Sequence, residues 1–377
     1  MMKVAHILSY YPGQEGLTSF CSGLGTAFKN LAGVEVPIVT FRRKPPRVEE
    51  PEDGPVVLKY PHQGRHPFDV PQSFLDDLDN GSLVLDGAVL HGTYSPQVCA
   101  QARALRRRGI PYIFMPHDPY VKKLRRHHAI RKFVYWHLFE KPMIEGAAAV
   151  QILDGEHEHY LRELGCKVPT FVESNGCDPA ALALLPATPH TPGSRDRLQL
   201  HFLGRMDRNH KGLDLLIEAF SRLPSSWKVE LVLTGNDWFD RGELENLARK
   251  LGIQDRVNFR GRRPEPSILL QAEADLCVLT SRFDGFGLTI VEGMLASRPV
   301  LVSTEAGIST HVERSGGGWT VKPTVDAIEQ GLIDAIKGKS RWEEFGKRNH
   351  RYVLENLTWE KVARNSLKHY ERVFGKV

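Results

Sequence analysis

Ser281-Arg282-Phe283-Asp284-Gly285-Phe286-Gly287-Leu288-Thr289-Ile290-Val291-Glu292 is the stretch on which the reading of this chain turns. An apolar strand pattern, Leu276 to Ser281, precedes it and a helix pattern running to Ser297 follows, so it occupies a strand-to-helix turn. With the helix opening near Gly287, the free N–H groups of its first turn face whatever lies beyond the strand end, and the helix dipole there favours a phosphate. The glycines let backbone approach a ligand without Cβ obstruction, while Asp284 stays in the loop and Glu292 falls about one turn into the helix. The two carboxylates then lie on the order of 10 Å apart. That spacing suits two hydroxyl-rich ends of one long ligand better than a shared proton, and a nucleotide sugar has that shape. An acidic loop beside a positive helix terminus, with no ligand, would contain the same residue types.

Outward from this turn, short apolar runs alternate with amphipathic helix patterns nearly throughout, as in parallel βαβ units. Strands are expected near Lys3 to Ser9, Val34 to Thr40, Ala88 to Thr93, Tyr112 to His117, Ala148 to Leu153 and Pro169 to Asn175. A second series is expected at Leu198 to Leu203, Val229 to Thr234, Val257 to Arg260, Leu276 to Leu279 and Pro299 to Ser303. Residues 41–71, with seven prolines and many charges, read as an irregular surface loop. A linker rich in Pro, Ala and Thr, Asp178 to Asp196, separates the series, so the economical reading is α/β with two doubly wound domains, 1–178 and 179–357. The segment 358–377 carries Trp359, Val362, Ala363, Leu367, Tyr370 and Val373 at near-helical spacing.

The length of 377 residues accommodates two cores, and 41% hydrophobic with 25% charged content is ordinary for a globular chain. No apolar run reaches the roughly 20 residues that span a bilayer. The N-terminus enters a strand pattern without a signal-peptide cleavage pattern, so a cytoplasmic protein is expected. Five cysteines without a Cys-x-x-Cys pair indicate neither a disulfide framework nor a zinc knuckle. Asp76-Asp77-Leu78-Asp79 lies in an amphipathic helical stretch and reads as a solvated face, so no metal site is expected. Gly23-Leu24-Gly25 does not complete a Gly-x-Gly-x-x-Gly dinucleotide fingerprint.

The Asp284 to Glu292 stretch resembles the acidic-x7-acidic signature of retaining GT-B glycosyltransferases of family 4, whose usual form is Ser-x-x-Glu-Gly-Phe-Gly-Leu-Thr-x-x-Glu. Asp284 is one methylene shorter than the family's Glu, which leaves open the donor hydroxyl it contacts. Gly204-Arg205-Met206-Asp207-Arg208-Asn209-His210-Lys211-Gly212 resembles the family's Gly-Arg…Lys-Gly element, in which Arg205 and Lys211 meet the leaving diphosphate. Pro116-His117-Asp118-Pro119 resembles its His-Asp element, with His117 on the donor sugar and Asp118 orienting the imidazole or capping the next segment. In the loop Tyr11 to Thr18 only Gly16 of the family's paired glycines is present, which weakens the acceptor side. Asn175-Gly176-Cys177-Asp178 is similar to the Asn-Gly-x-Asp of the domain junction, or is a simple turn. Asn236 and Arg262, after two strands of the second series, are candidates to line the base and ribose. Trp359-Glu360 resembles the segment that crosses back onto the N-terminal domain, an ordinary terminal helix on the second domain being the alternative.

The resemblance implies two Rossmann-like domains facing across a cleft, with a nucleotide-sugar donor bound mainly to the second and a glycan or lipid-linked acceptor to the first. It implies transfer of a hexose, by family frequency from UDP-glucose, with retained anomeric configuration, in polysaccharide biosynthesis. Glu292 would hold the ribose, Asp284 the hexose, and Arg205, Lys211 and the amides of Gly285, Phe286, Gly287 and Leu288 the diphosphate, so no cofactor and no metal are expected. A nucleotide-sugar epimerase or a phosphorylase on the same fold would reuse this site. Lys122 to Trp136, basic then aromatic, suggests contact with anionic lipid headgroups or a polyanionic acceptor, or a solvated face. A non-enzymatic nucleic-acid-binding module would use that segment but would leave Asp284 and Glu292 unexplained, so no nucleic-acid partner is expected.

Overall fold

Val4, Ala5, Ile7 and Leu8 are almost wholly enclosed on both faces of the first strand, as a central strand of a helix-covered parallel sheet must be. The computed structural model describes residues 1–9, 15–42, 54–62, 66–117, 120, 129–187, 190–237 and 239–375. The expectations for Tyr11 to Gln14, for Asp118 and for Lys122 to His128 lie outside the described residues. The chain divides into two compact units, Met1–Gly176 with Trp359–Val377, and Cys177–Thr358.

In the first unit the strands are β1 (Met2–Leu8), β2 (Val34–Glu35), β3 (Ile38–Arg42), β4 (Val57–Pro61), β5 (Gly87–His91), β6 (Tyr112–Met115), β7 (Ala149–Ile152) and β8 (Thr170–Val172). They pair in parallel in the order β4-β3-β1-β5-β6-β7-β8, with β2 on the opening residues of β1. The expected single strand Val34 to Thr40 is broken at Pro37, which has no N–H for a ladder; its carbonyl instead accepts from His6 N–H at 2.9 Å. Residues 41–71 are not irregular throughout, which corrects the sequence expectation. Val57–Pro61 extends the sheet edge in register with Ile38–Arg42, and Pro61 falls at the end of an edge strand, where a missing donor is tolerated. Tyr60 packs on Phe41 and Phe74 and donates to Asp77 at 2.8 Å. With Asp79 held by Arg108 at 2.6 Å and Asp76 accepting from Gln72 at 2.8 Å, all three clustered aspartates serve as hydrogen-bond partners near the surface.

The C-terminal helix Trp359–Phe374 packs in this unit and turns one apolar face inward through Trp359, Val362, Ala363, Tyr370 and Phe374. Gly23 and Gly87 make room for it: a Cβ on the former would lie 2.2 Å from the Trp359 indole, and on the latter 2.5 Å from Phe374.

The second unit has β9 (Leu198–Leu203), β10 (Val229–Thr234), β11 (Val257–Gly261), β12 (Leu276–Leu279), β13 (Val300–Ser303) and β14 (Gly318–Val321). All are parallel, in the order β11-β10-β9-β12-β13-β14. The sequence pattern missed β14, because Gly316 to Gly318 reads as a turn; Gly318 is needed at its start, where a Cβ would meet the Val300 carbonyl at 2.2 Å. In each unit the chain winds outward from its first strand in one direction and then resumes on that strand's other side. The resulting switch points, β1/β5 and β9/β12, open a crevice at the carboxyl ends of the strands.

Candidate functional site

At the β9/β12 switch point two loops leave neighbouring strands and lean on each other. Beyond β9, Gly204 passes so close to Gly235 that a Cβ on the latter would overlap the Gly204 carbonyl at 1.7 Å. The turn then enters a short helix, Arg208–Lys211, whose first turn is capped by Asp207 accepting from His210 N–H at 2.9 Å. Gly212 closes it at φ 64, a left-handed conformation, with its Cα against the Thr280 carbonyl from the β12 loop. This close approach aims Lys211 at the second loop. Its Nζ stands 2.5 Å from Asp284 Oδ2, with little side-chain exposure on either residue.

Asp284 is 8% exposed and receives further donors, Ser281 Oγ at 3.2 Å and Phe286 N–H at 3.4 Å. Burial alone would raise its pKa; the charge of Lys211, with His210 and the hydrogen bonds, outweighs burial and holds the carboxyl below the ordinary aspartate value. Gly287 at φ 107 starts the helix Leu288–Leu295 and supplies no side chain to cap it. Thr289 Oγ1 ties this helix end to the Leu203 carbonyl at 3.1 Å, fixing it over the end of β9. With the Phe286 N–H given to Asp284, the start of the helix at Gly287 and Leu288 presents its backbone N–H groups and positive end beside the Lys211–Asp284 pair.

Glu292 lies a turn further on, and no salt bridge joins it to a cation among the described residues. Burial pushes its carboxyl up to about 7, partly offset by a hydrogen bond from Ser267. Arg205 is half-buried, its guanidinium 3.4 Å from His210 Nδ1. His210 packs with its ring centroid 4.3 Å from that of Phe283, tilted by 34°, and burial, with Lys211 beside it, lowers its pKa to about 4, so the ring is neutral at pH 7. Arg282 grips Asp214 with bonds of 2.7 and 2.6 Å and the Arg208 carbonyl at 2.8 Å, bracing one loop on the other. Asn236 and Arg262 follow β10 and β11 on the same edge; the Asn236 carbonyl accepts from Met206 N–H at 2.8 Å. Neither the role of Ser281 nor the Arg282–Asp214 brace is evident from the motif. Ser281 sits three residues before Asp284, a local spacing that could have flagged it, whereas the brace joins distant loops.

Gly16 and His117 belong to the other unit. Gly16 lies in the first turn of the helix Glu15–Lys29, with open space where a Cβ would be. His117 follows β6 at its carboxyl end, half-buried, with φ 65. Its Nε2 is 2.8 Å from Nδ1 of His91, the last residue of β5. His91 was not anticipated; a histidine closing a buried apolar strand was the available signal. Asn175 to Cys177 mark the boundary between the units, and Cys177 bridges Thr358 in parallel.

Residues 191–352 match the family model of glycosyl transferases group 1, and residues 16–176 that of the glycosyl transferase 4-like domain. An uncharacterized glycosyltransferase of Methanocaldococcus jannaschii is 27% identical over 179 residues, 47% of this chain and 45% of that protein. The chain thus spans less than half the length of that curated relative. Among solved structures, sucrose-phosphate synthase from Thermosynechococcus elongatus superposes with a TM-score of 0.78 at 21% identity, covering 99% of both chains. Anabaena HepE, solved in complex with UDP-glucose, superposes with a TM-score of 0.73 at 17% identity, covering 99% of this chain and 100% of that one. With both halves matched and the GT-B fold shared over nearly the whole length, the chain belongs to the group 1, family 4 glycosyl transferases.

Proposed function

We propose that this protein transfers a hexosyl group, glucose from UDP-glucose, to a hydroxyl of a glycan or lipid-linked acceptor with retained anomeric configuration. The observation that carries the reading is the convergence, at the β9/β12 switch point, of Lys211, Asp284 and the uncapped helix end at Gly287. Cation, backbone donors and helix dipole together suit a diphosphate leaving group, whose developing charge preorganised donors stabilise. Arg205 adds a second cation. Glu292, one turn into the helix, is suited to accept from ribose hydroxyls, and Asp284 from a hexose hydroxyl. That HepE was solved with UDP-glucose supports the donor assignment.

The reading extends to metal independence. Among the described residues no three His, Cys, Asp or Glu side chains gather as a metal site, and the basic groups already answer the diphosphate charge. In the retaining step the acceptor oxygen attacks the anomeric carbon on the face the diphosphate leaves, and the departing phosphate oxygen takes the acceptor proton. Incubation with labelled UDP-glucose and candidate acceptors, in EDTA, tests this. Transfer with the α-configuration kept supports it; an altered sugar formed from UDP-glucose alone would replace it with an epimerase, and rescue by Mg²⁺ or Mn²⁺ would overturn metal independence.

A peripheral membrane contact through Lys122 to Trp136 belongs to the same reading. The helical stretch that ends this segment exposes Phe133 and Val134, and Leu138 just beyond it, at 64%, 50% and 62%. Among the described residues no helix is long and apolar enough to cross a membrane.

A further inference from the structure

Four side chains from distant parts of the first unit are joined in a single hydrogen-bonded file. His117 Nε2 lies 2.8 Å from His91 Nδ1, His91 Nε2 lies 3.1 Å from His6 Nδ1, and His6 Nε2 lies 3.1 Å from the Tyr370 hydroxyl. His6, His91 and Tyr370 are buried at 3%, 4% and 0% exposure, in the middle of β1, at the end of β5 and on the C-terminal helix. Both ring nitrogens of His6 and of His91 are engaged. A neutral imidazole fits this arrangement, donating from one nitrogen and accepting at the other. Burial, with the neighbouring histidines, acts in the same direction, lowering His6 to about 3 and His91 well below its ordinary value; burial lowers His117 to about 4.

A file of neutral rings can order its protons in two ways. In one, the Tyr370 O–H donates to His6 Nε2, His6 Nδ1–H to His91 Nε2 and His91 Nδ1–H to His117 Nε2. In the other, every proton is reversed and the phenol oxygen accepts. A phenol is a better donor than an imidazole N–H, and an imidazole nitrogen a better acceptor than a phenol oxygen, so the first order is the stable one. The first order leaves His117 with its proton on Nδ1, the ring nitrogen outside the file. His117 also lines a small pocket with Pro116, Tyr120, Ile152, Leu153 and His157.

We propose that Tyr370, His6 and His91 are positioning residues that set the tautomer of His117, so that it offers Nδ1–H as a neutral hydrogen-bond donor to an oxygen of a polyhydroxylated ligand at the carboxyl end of β6. Only the nature of the ligand rests on the glycosyl-transfer reading; the proton order belongs to the chain itself. A neutral donor recognises a hydroxyl or ring oxygen without binding a competing anion by charge. The strained φ of 65 at His117 is consistent with a ring held in place by the file rather than by local backbone preference.

The test is a long-range ¹H–¹⁵N correlation spectrum of the histidine rings in the full chain at pH 7, assigned by single substitutions. His6, His91 and His117 are all expected to be neutral with the proton on Nδ1, the tautomer that free histidine disfavours. Tyr370→Phe keeps the ring packing and removes the donor that starts the order. In it, His117 is expected to gain an Nε2–H population although its own contacts are untouched. A wild-type His117 protonated on Nε2, a charged His6 or His91, or an unchanged His117 tautomer in a folded Tyr370→Phe variant would each overturn the proposal. The wild-type spectrum decides even if the variant does not fold. A chain with this proton order that neither binds UDP nor transfers sugar would sink the ligand reading and leave the relay standing.

Discussion

Lys211 Nζ and Asp284 Oδ2, 73 positions apart in sequence, stand 2.5 Å from each other where the loops after β9 and β12 meet. Each side chain has lost most of its water, so the pair stands or falls together. Removing one member leaves an uncompensated charge in a place built for two, which costs about 3–5 kcal/mol. Lys211→Met is therefore expected to destabilise by about that much in urea unfolding, and adding Asp284→Asn to recover most of it. Additive losses in the double variant would show that the two side chains act independently.

Lys211 is also proposed to meet a diphosphate. Calorimetry with UDP is expected to show Lys211→Ala and Glu292→Ala each weakened by about 1.5–3 kcal/mol, the worth of a charge-assisted contact. Wild-type affinity in both would remove the donor site from this switch point.

Glu292 carries a pH signature. Its carboxyl ionises near 7 in the folded chain against an ordinary value of 4.5. Below 4.5 both folded and unfolded states hold the proton and nothing is lost; between 4.5 and 7 only the unfolded state releases it, so stability falls as pH rises through that window. Glu292→Gln should therefore melt higher than wild type at pH 8 and no higher at pH 4. If ribose hydroxyls donate to the carboxylate, UDP binding at pH 6.5 should expel a proton. Calorimetric enthalpies in buffers of different ionisation heat should then differ more for wild type than for the glutamine variant, in which only the proton of the UDP phosphate, whose second pKa is about 6, is released. Equal proton release in both proteins would assign the proton elsewhere.

Gly287 is held at φ 107 with Leu279 at 3.0 Å and Ile308 at 3.2 Å from where a Cβ would stand. Alanine there combines left-handed strain with crowding, for about 1–3 kcal/mol. Because Gly287 begins the helix proposed to face the diphosphate, Gly287→Ala should lose UDP affinity beyond what the lower stability explains. Unchanged affinity would mean that the helix end takes no part in binding.

Membrane contact has its own outcome. Each Lys or Arg near an anionic surface contributes about 1 kcal/mol, and exposed apolar side chains such as Phe133 and Leu138 add burial. Sedimentation should show more protein on anionic than on neutral vesicles, with loss on replacing Lys122, Lys123, Arg125 and Arg126 by Glu, and again in Phe133→Ser with Leu138→Ser. Equal binding to both vesicle types would leave the segment a solvated face.

By itself the sequence determined what depends on neighbours along the chain. Strand and helix alternation is written in apolar periodicity, so most strands were legible within a residue or two. The β12-to-helix turn was legible because its glycines and acids act through local backbone geometry. β4 and β14 were not, since a proline-rich edge and a glycine run hide segments that become strands only when a neighbouring ladder accepts their backbone groups. The partners of charged and polar side chains were decided only by tertiary structure. Lys211 and Asp284 read as contacts for separate parts of a ligand, and the fold pairs them directly. His6, His91, His117 and Tyr370 span 364 residues and share no motif. A hydrogen bond or ion pair depends on ångström-scale distances between groups that only the assembled sheets bring together, and one-dimensional spacing carries no such distance.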